Sequence, residues 1–333
     1  MKIEVVLPSG WKSRITGRAG GNTHGYTNAA LLMIRAVEKV GIEVVNGASL
    51  CVHYTSAPFF ESEEKRINIL YTMWEAEDLP GEMKDAIALA DYIIVPSRNS
   101  KDVIKKAGIS IPIYICHQAV DTDFYEFRVR QHQNQKVRYL WVGAPNIRKG
   151  FDLAVRAFHY AFHGTDANVE LYIKSSFFKR EGEITRLDRN RAIIDTRNLS
   201  LEGLRELYYS AHVFFFPSRG EGAGLTPLEA MATGLPVIAP PYTGMKDYMH
   251  PAHSYPVAFH LEQAHYGLDT KLCEAEQDEL IAKLQHTHSH LKEAMRKGWK
   301  AADFVREFFT LEKMGERMKE ILEKIARREK IET

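Results

Sequence analysis

Two glutamates, Glu221 and Glu229, with seven residues between them, frame the stretch of this chain richest in chemical meaning. It reads Phe214-Phe215-Phe216-Pro217-Ser218-Arg219-Gly220-Glu221-Gly222-Ala223-Gly224-Leu225-Thr226-Pro227-Leu228-Glu229. An apolar strand runs into a loop with glycines at 220, 222 and 224, and a helix start near Thr226 follows. Glycines leave backbone amides uncovered, and a helix N-terminus turns unpaired N–H groups and the positive end of its dipole towards whatever lies in the loop. A diphosphate fits such a cradle. The plainer reading is that Thr226-Pro227-Leu228-Glu229 forms a capping box with Pro at the first helical position, so that Glu229 only closes a helix end.

Earlier in the chain, an apolar strand at 139–142 leads into Gly143-Ala144-Pro145-Asn146-Ile147-Arg148-Lys149-Gly150 and then an apolar helical pattern. Ligands of open parallel sheets bind outside the carboxyl ends of strands. Arg148 and Lys149 are therefore placed to face the same anion as the Glu221 loop, unless both are merely solvated loop charges. A third loop, 9–25, holds Gly10, Gly17, Gly20, Gly21 and Gly25 with Arg18, Asn22 and His24. It is too long and basic for the dinucleotide fingerprint, which needs three closely spaced glycines directly off the strand.

These loops need a frame. A chain of 333 residues, 45% of them apolar, can bury large cores, and its length suggests about two domains. Short apolar runs at 3–7, 50–53, 67–71, 92–95 and 113–116 read as buried strands, with helical spacing at 28–40, 82–90 and 99–107. The order then repeats: strands at 137–142, 169–173, 192–195, 213–216 and 236–239, with helices at 151–162, 201–210 and 226–233. Such alternation implies parallel strands covered by helices. An internal echo, Ala-polar-four apolar or aromatic-Pro-Ser-Arg at 90–98 and again at 211–219, favours two related lobes at equivalent points of similar strand orders. A polar run at 131–135 marks the linker within 128–136. After Cys273 the pattern is helical to the end, with apolar residues Met314, Met318, Ile321, Leu322 and Ile325 on one side of a final helix.

Charge is nearly balanced at net +1, which argues against a protein held to nucleic acid by bulk attraction. The segment 7–37 has no Asp or Glu but carries Lys12, Arg14, Arg18 and Arg35, so it should attract anions. Three cysteines without ligand-like spacing indicate neither a disulfide framework nor a cysteine zinc site, and a reducing cytoplasm fits. Residues 1–7, followed by Pro8 and Gly10, are too short for a signal peptide or a membrane span. A basic loop and a basic tail at Arg327 and Arg328 leave peripheral contact with anionic lipid open.

Taken together, the glycine-spaced Glu221 loop, Glu229 and the Lys149-Gly150 segment resemble the family-four retaining glycosyltransferases. The resemblance is strong over 137–249 and weaker over the first lobe. It implies the GT-B architecture: two Rossmann-like lobes with parallel sheets facing across a cleft, and a C-terminal helix packing back towards the first lobe. The implied divisions are 1–130 for the acceptor side, 131–302 for the nucleotide-sugar side and 303–333 for the returning helix. Carried over residue by residue, Glu221 lies at the donor sugar, with Lys149 and Arg148 as the other catalytic groups. The donor is held by Gly143, Gly222, Ala223, Gly224, Leu225 and Thr226, and Glu229 takes the ribose hydroxyls. Gly20, Gly21 and Asn22 match the family's first-lobe glycine loop, and Asn198 and Leu199 match the segment against the nucleotide base. Arg18, His24, Trp74 and Glu75 stand on the acceptor side. The family usually has an arginine at the place of Ala144, for which Arg148 stands in, a glycine at the place of Ala119 and a larger apolar residue at Ala223.

The implied activity is retaining transfer from a nucleoside-diphosphate sugar, UDP- or GDP-linked, to an unidentified acceptor hydroxyl, with no cofactor and no metal. Asp121-Thr122-Asp123 invites a metal reading but belongs to the wrong kind of enzyme for this two-lobed chain. His286 and His290 share a helical face without an evident third ligand. Two alternatives stay open: a glycosyltransferase acting on a modified nucleic-acid base, supported by the acid-free segment, and a catalytically inactive sugar-nucleotide-binding protein, suggested by Ala144, Ala119 and Ala223.

Overall fold

A computed structural model describes residues 1–7, 25–130, 136–176, 191–264 and 269–332. The glycine-rich loop with Arg18, Gly20, Gly21, Asn22 and His24 lies outside the described residues, as does 131–135 of the linker. The chain divides into two compact units, Met1–Asp121 with Ala264–Thr270 and Phe308–Thr333, and Thr122–Gln263 with Lys271–Glu307.

The first unit is built on strands β1 (Lys2–Val6), β2 (Glu43–Val44), β3 (Leu50–Tyr54), β4 (Ile67–Tyr71), β5 (Tyr92–Val95) and β6 (Ile113–Ile115). They pair in parallel in the order β2-β1-β3-β4-β5-β6. Helices α1 (Gly25–Lys39), α2 (Gly81–Ile87) and α3 (Arg98–Lys106) alternate with them. All five residues of β3 are buried, the signature of a strand covered on both faces.

In the second unit β7 (Val137–Val142), β8 (Val169–Lys174), β9 (Ala192–Asp195), β10 (Val213–Phe215), β11 (Val237–Ala239) and β12 (Tyr255–Pro256) form a parallel sheet ordered β12-β11-β10-β7-β8-β9. Its helices are α4 (Phe151–Phe162), α5 (Leu201–Ser210) and α6 (Leu225–Ala232). An antiparallel hairpin, β13 (Phe259–Gln263) with β14 (Lys271–Ala275), precedes α7 (Gln277–Ser289) and α8 (Leu291–Phe308). The hairpin was not expected, and Cys273 lies inside it rather than at a helix start. The cause is that β13 is mostly exposed and hydrophilic, so it lacks the apolar alternation that marks a half-buried strand.

The final helix, α9 (Leu311–Glu332), returns to the first unit and packs on α1. Met314, Met318, Ile321, Leu322 and Ile325 are all buried, as their spacing required. Gly315 lets the two backbones approach: a Cβ there would stand 2.2 Å from the carbonyl oxygen of Ala36.

The strand order locates the site. In the second sheet β7 has β8 on one side and β10 on the other, so the chain reverses direction across the sheet at β7. The connections after β7 and β10 leave the carboxyl edge on either side of that reversal, where open α/β sheets hold their ligands. The sequence echo does not mark equivalent positions. β10 lies beside the first strand of its sheet, whereas β5 is separated from β1 by β3 and β4.

Gly150 sets how closely these two connections meet. It adopts φ +66°, and a Cβ there would fall 1.8 Å from the Pro217 carbonyl oxygen. Gly47 has a similar φ of +78° with nothing within 4 Å. Gly150→Ala should therefore cost on the order of 3 kcal/mol or more in urea unfolding, against about 1 kcal/mol for Gly47→Ala. Equal losses in the two variants would contradict the close approach.

Candidate active site

The loop from β7 to α4 is shaped by its own side chains. Asn146 Oδ1 accepts from the Lys149 N–H at 2.9 Å, and the indole Nε1 of buried Trp141 donates to the Lys149 carbonyl at 3.3 Å. The loop after β10 is tied to it by the Arg219 N–H, which donates to the Arg148 carbonyl at 2.7 Å.

At this junction Lys149 Nζ donates to both carboxylate oxygens of Glu221, each at 2.7 Å. Ser218 Oγ donates to Glu221 Oε1 at 2.7 Å. Arg148 places a guanidinium nitrogen 3.5 Å from Oε1 and donates to the Gly220 carbonyl at 2.6 Å. Glu221 is only 5% exposed. Burial pushes its carboxyl up, but Lys149, Arg148 and Ser218 together hold it below the ordinary range, so the group is an ionised carboxylate at neutral pH. The Glu221 N–H donates to Thr243 Oγ1 at 2.8 Å, and its carbonyl accepts from Gly244. The connection after β11 thus backs the glutamate loop.

Helix α6 begins two residues before the capping-box reading required. Gly224, at φ +79°, is its N-cap, with no side-chain cap, which makes Pro227 the third helical residue rather than the first. Only glycine adopts that left-handed conformation at no cost, and Pro fits the first turn because N–H groups there have no intrahelical acceptor. Glu229 therefore caps nothing. Gly222, Ala223 and Gly224 are buried, while Leu225 and Thr226 are half-buried at the helix start. Tyr248 O–H donates to the Gly224 carbonyl at 3.0 Å.

Glu229 sits one turn into α6, half-buried, where Tyr208 of α5 donates its O–H to Oε2 at 2.7 Å. Burial pushes its carboxyl up to about 7, against the hydrogen bonds from Tyr208 and Tyr125. The structure thus brings Glu221, Lys149 and Arg148 together and sets Glu229 with two tyrosines. Ser218, Tyr208 and Tyr125 were not foreseen; only Ser218 left a trace, in the Pro-Ser-Arg echo.

Of the other expected residues, Gly143 directly follows β7, and a Cβ on it would press 3.2 Å from the Trp141 ring. Asn198 is exposed and Leu199 half-buried, in a loop braced from below. Lys174 Nζ donates to the Arg197 carbonyl at 2.6 Å, and Arg197 forks onto Asp195, whose carboxyl it holds well below the usual range. Trp74 and Glu75 are half-buried in the first unit, where Trp74 Nε1 donates to the Asp78 carbonyl at 2.8 Å. Asp121 pairs with Arg35 at 2.7 Å. The rings of His286 and His290 stack at 4.5 Å. Among the described residues no group of three or more His, Cys, Asp or Glu side chains is arranged to hold a metal ion.

Comparison with known proteins places a family signal on the second unit: residues 136–263 match the family model described as Glycosyl transferases group 1. No curated protein matches the chain significantly. Among solved structures, the chain is similar to the sucrose-phosphate synthase of Thermosynechococcus elongatus, with 13% identity and a TM-score of 0.76 over 98% of this chain and 100% of that one. It is also similar to Anabaena HepE, solved in complex with UDP-glucose, with 15% identity and a TM-score of 0.68 over 97% and 100% of the two chains. A third is WaaG, a glycosyltransferase involved in lipopolysaccharide biosynthesis, with 14% identity and a TM-score of 0.67 over 96% and 99%. These likenesses show the fold to be GT-B.

The Glu229 environment makes stability depend on pH. Its carboxyl titrates near 7 in the folded chain against an ordinary value of 4.5, so the folded state keeps the proton over a range where the unfolded chain has released it. The contribution is complete below about pH 4.5 and lost as pH rises through about 7. Glu229→Gln should flatten that part of the stability profile measured by denaturant unfolding; an unchanged profile would show that Glu229 titrates normally.

Proposed function

Residues 136–263 carry a glycosyl transferases group 1 segment on a GT-B frame, and from that premise we propose that the protein moves a sugar from a nucleoside-diphosphate sugar to an acceptor hydroxyl, with retention and without a metal. The observation that carries this reading is the convergence of Lys149 and Arg148 on Glu221 at the reversal point of the second sheet.

Departure of a nucleoside diphosphate from an anomeric carbon puts growing negative charge on the outer phosphate and positive charge on the sugar ring. Lys149, Arg148 and the first amides of α6, at Gly224 to Thr226, oppose the former. One well-aimed donor of this kind contributes about 3 to 4 kcal/mol to a transition state. Because the cations are fixed in the protein, none need come from a metal. Glu221 supports the positive ring electrostatically. Its charge is already compensated by Lys149, and we do not assign it as a covalent nucleophile.

Glu229, with Tyr208 and Tyr125 behind it, takes the ribose hydroxyls, and the braced loop at Asn198 and Leu199 takes the base. The HepE complex with UDP-glucose supports uridine as the first base to try, with guanosine second. Acceptor recognition falls to the first unit, at Trp74 and Glu75 and at Arg18 and His24 of the undescribed loop. Among the described residues no helix is long and apolar enough to cross a membrane. The three cysteines, buried and unpaired, are compatible with the reducing cytoplasm proposed as its location.

A thermal-shift screen against nucleoside diphosphates and their sugars identifies the donor, because a ligand that binds only the folded state raises its melting temperature by mass action. Lys149→Ala should lower turnover tenfold or more, on the order of 1.4 kcal/mol; equal rates in variant and parent would remove Lys149 from the mechanism. Glu229→Gln should weaken donor binding in calorimetry, and unchanged affinity would return Glu229 to a structural role.

A further inference from the structure

We propose that Arg219 is a positioning residue of the site: it locks the loop bearing Lys149 to the loop bearing Glu221 and so sets how these two groups stand to each other. What the two groups act on rests on the donor-site reading; the locking itself does not.

Every polar group of Arg219 joins separate pieces of the unit. Its N–H donates to the Arg148 carbonyl at 2.7 Å, and its carbonyl accepts from Cys273 of β14 at 3.1 Å. One terminal nitrogen donates to the Ile147 carbonyl at 2.6 Å and to Asp152 Oδ1 at 2.7 Å. The other donates to Asp152 Oδ2 at 2.8 Å and Glu274 Oε1 at 3.1 Å, and Nε donates to Glu274 Oε2 at 2.5 Å. A guanidinium has five N–H donors, and these five bonds use them all.

The loop after β7, the first turn of α4, the hairpin strand β14 and the loop after β10 therefore meet on one side chain. Two carboxylates balance its single charge, and it is 8% exposed. In this it differs from Arg148 and Lys149, which converge on Glu221: Arg219 is spent on the scaffold. Lysine has three donors on a single point and cannot reproduce a fork that serves two carboxylates and a carbonyl. Asp152 and Glu274 are the matching parts, neither of which the sequence marked.

The test is Arg219→Lys in the full chain, with two readouts. In a carbon-13 titration of the Glu221 carboxyl, the variant should shift upward as Lys149 loses its fixed place; an unchanged titration overturns the proposal whether or not any nucleotide binds. In calorimetry with UDP and with GDP, Arg219→Lys should weaken binding roughly tenfold in the parent but less than about twofold in a Lys149→Ala background, because one effect acts through the other. Equal losses in both backgrounds would make Arg219 independent of Lys149 and also overturn it. Should neither diphosphate bind the parent, the donor reading fails, and the Glu221 titration still decides the role of Arg219. If Arg219→Lys does not fold, Glu274→Gln removes one arm of the clamp, and the same two readouts apply with the same expected directions.

Discussion

A carboxylate with almost no access to water, held against a lysine and an arginine, is the interaction on which the second unit's site depends. Removing such charges from solvent is costly, and the attraction between them offsets the cost only when geometry is tight and remaining hydrogen bonds are made. Glu221 meets both conditions through Lys149, Ser218 and Arg148, and its backbone is held by Thr243 and Gly244. The pair forms only because two loops from separate strands touch. That contact in turn requires the absent side chain of Gly150, whose Cβ would fall 1.8 Å from the Pro217 carbonyl oxygen; the connection after β11 closes as tightly on the glutamate loop, since a Cβ on Gly244 would fall 2.3 Å from the Gly222 carbonyl oxygen.

The two glutamates show how one fold can give similar groups different characters. Glu221 is buried among cations and stays charged. Glu229, beside two phenols and with no cation acting on it among the described residues, holds its proton to near neutrality. Two glutamates of one strand-loop-helix segment thus supply a fixed negative charge at one end and, at the other, a carboxyl hydrogen-bonded to tyrosine. Environment rather than residue type separates them.

Much of this was legible in the sequence, and the misses have physical causes. Parallel strands buried on both faces announce themselves as continuous apolar runs, and helices α4 and α5 fell on the expected residues because their apolar spacing is regular. Arg148, Lys149 and Glu221 could be placed together because each follows a strand's carboxyl end. The capping box misled because Gly224 takes a left-handed conformation two residues ahead of Thr226, which no propensity of Thr or Pro reveals. The partners of Glu229 come from α5 and from the chain ahead of β7, and those of Arg219 from α4 and β14, so tertiary packing alone makes these contacts. The Pro-Ser-Arg echo recurs at strand ends but in different sheet positions. In one copy Ser97 accepts a hydrogen bond from the Ser100 N–H as a helix cap, and in the other Ser218 donates to Glu221.

The most direct measurement is a structure of the protein with a bound nucleoside diphosphate. The outer phosphate should lie within hydrogen-bonding distance of Lys149 Nζ and of the first amides of α6, with the ribose hydroxyls on Glu229. A nucleotide bound away from the carboxyl ends of β7 and β10, with the Lys149 and Glu221 pair untouched, would contradict it.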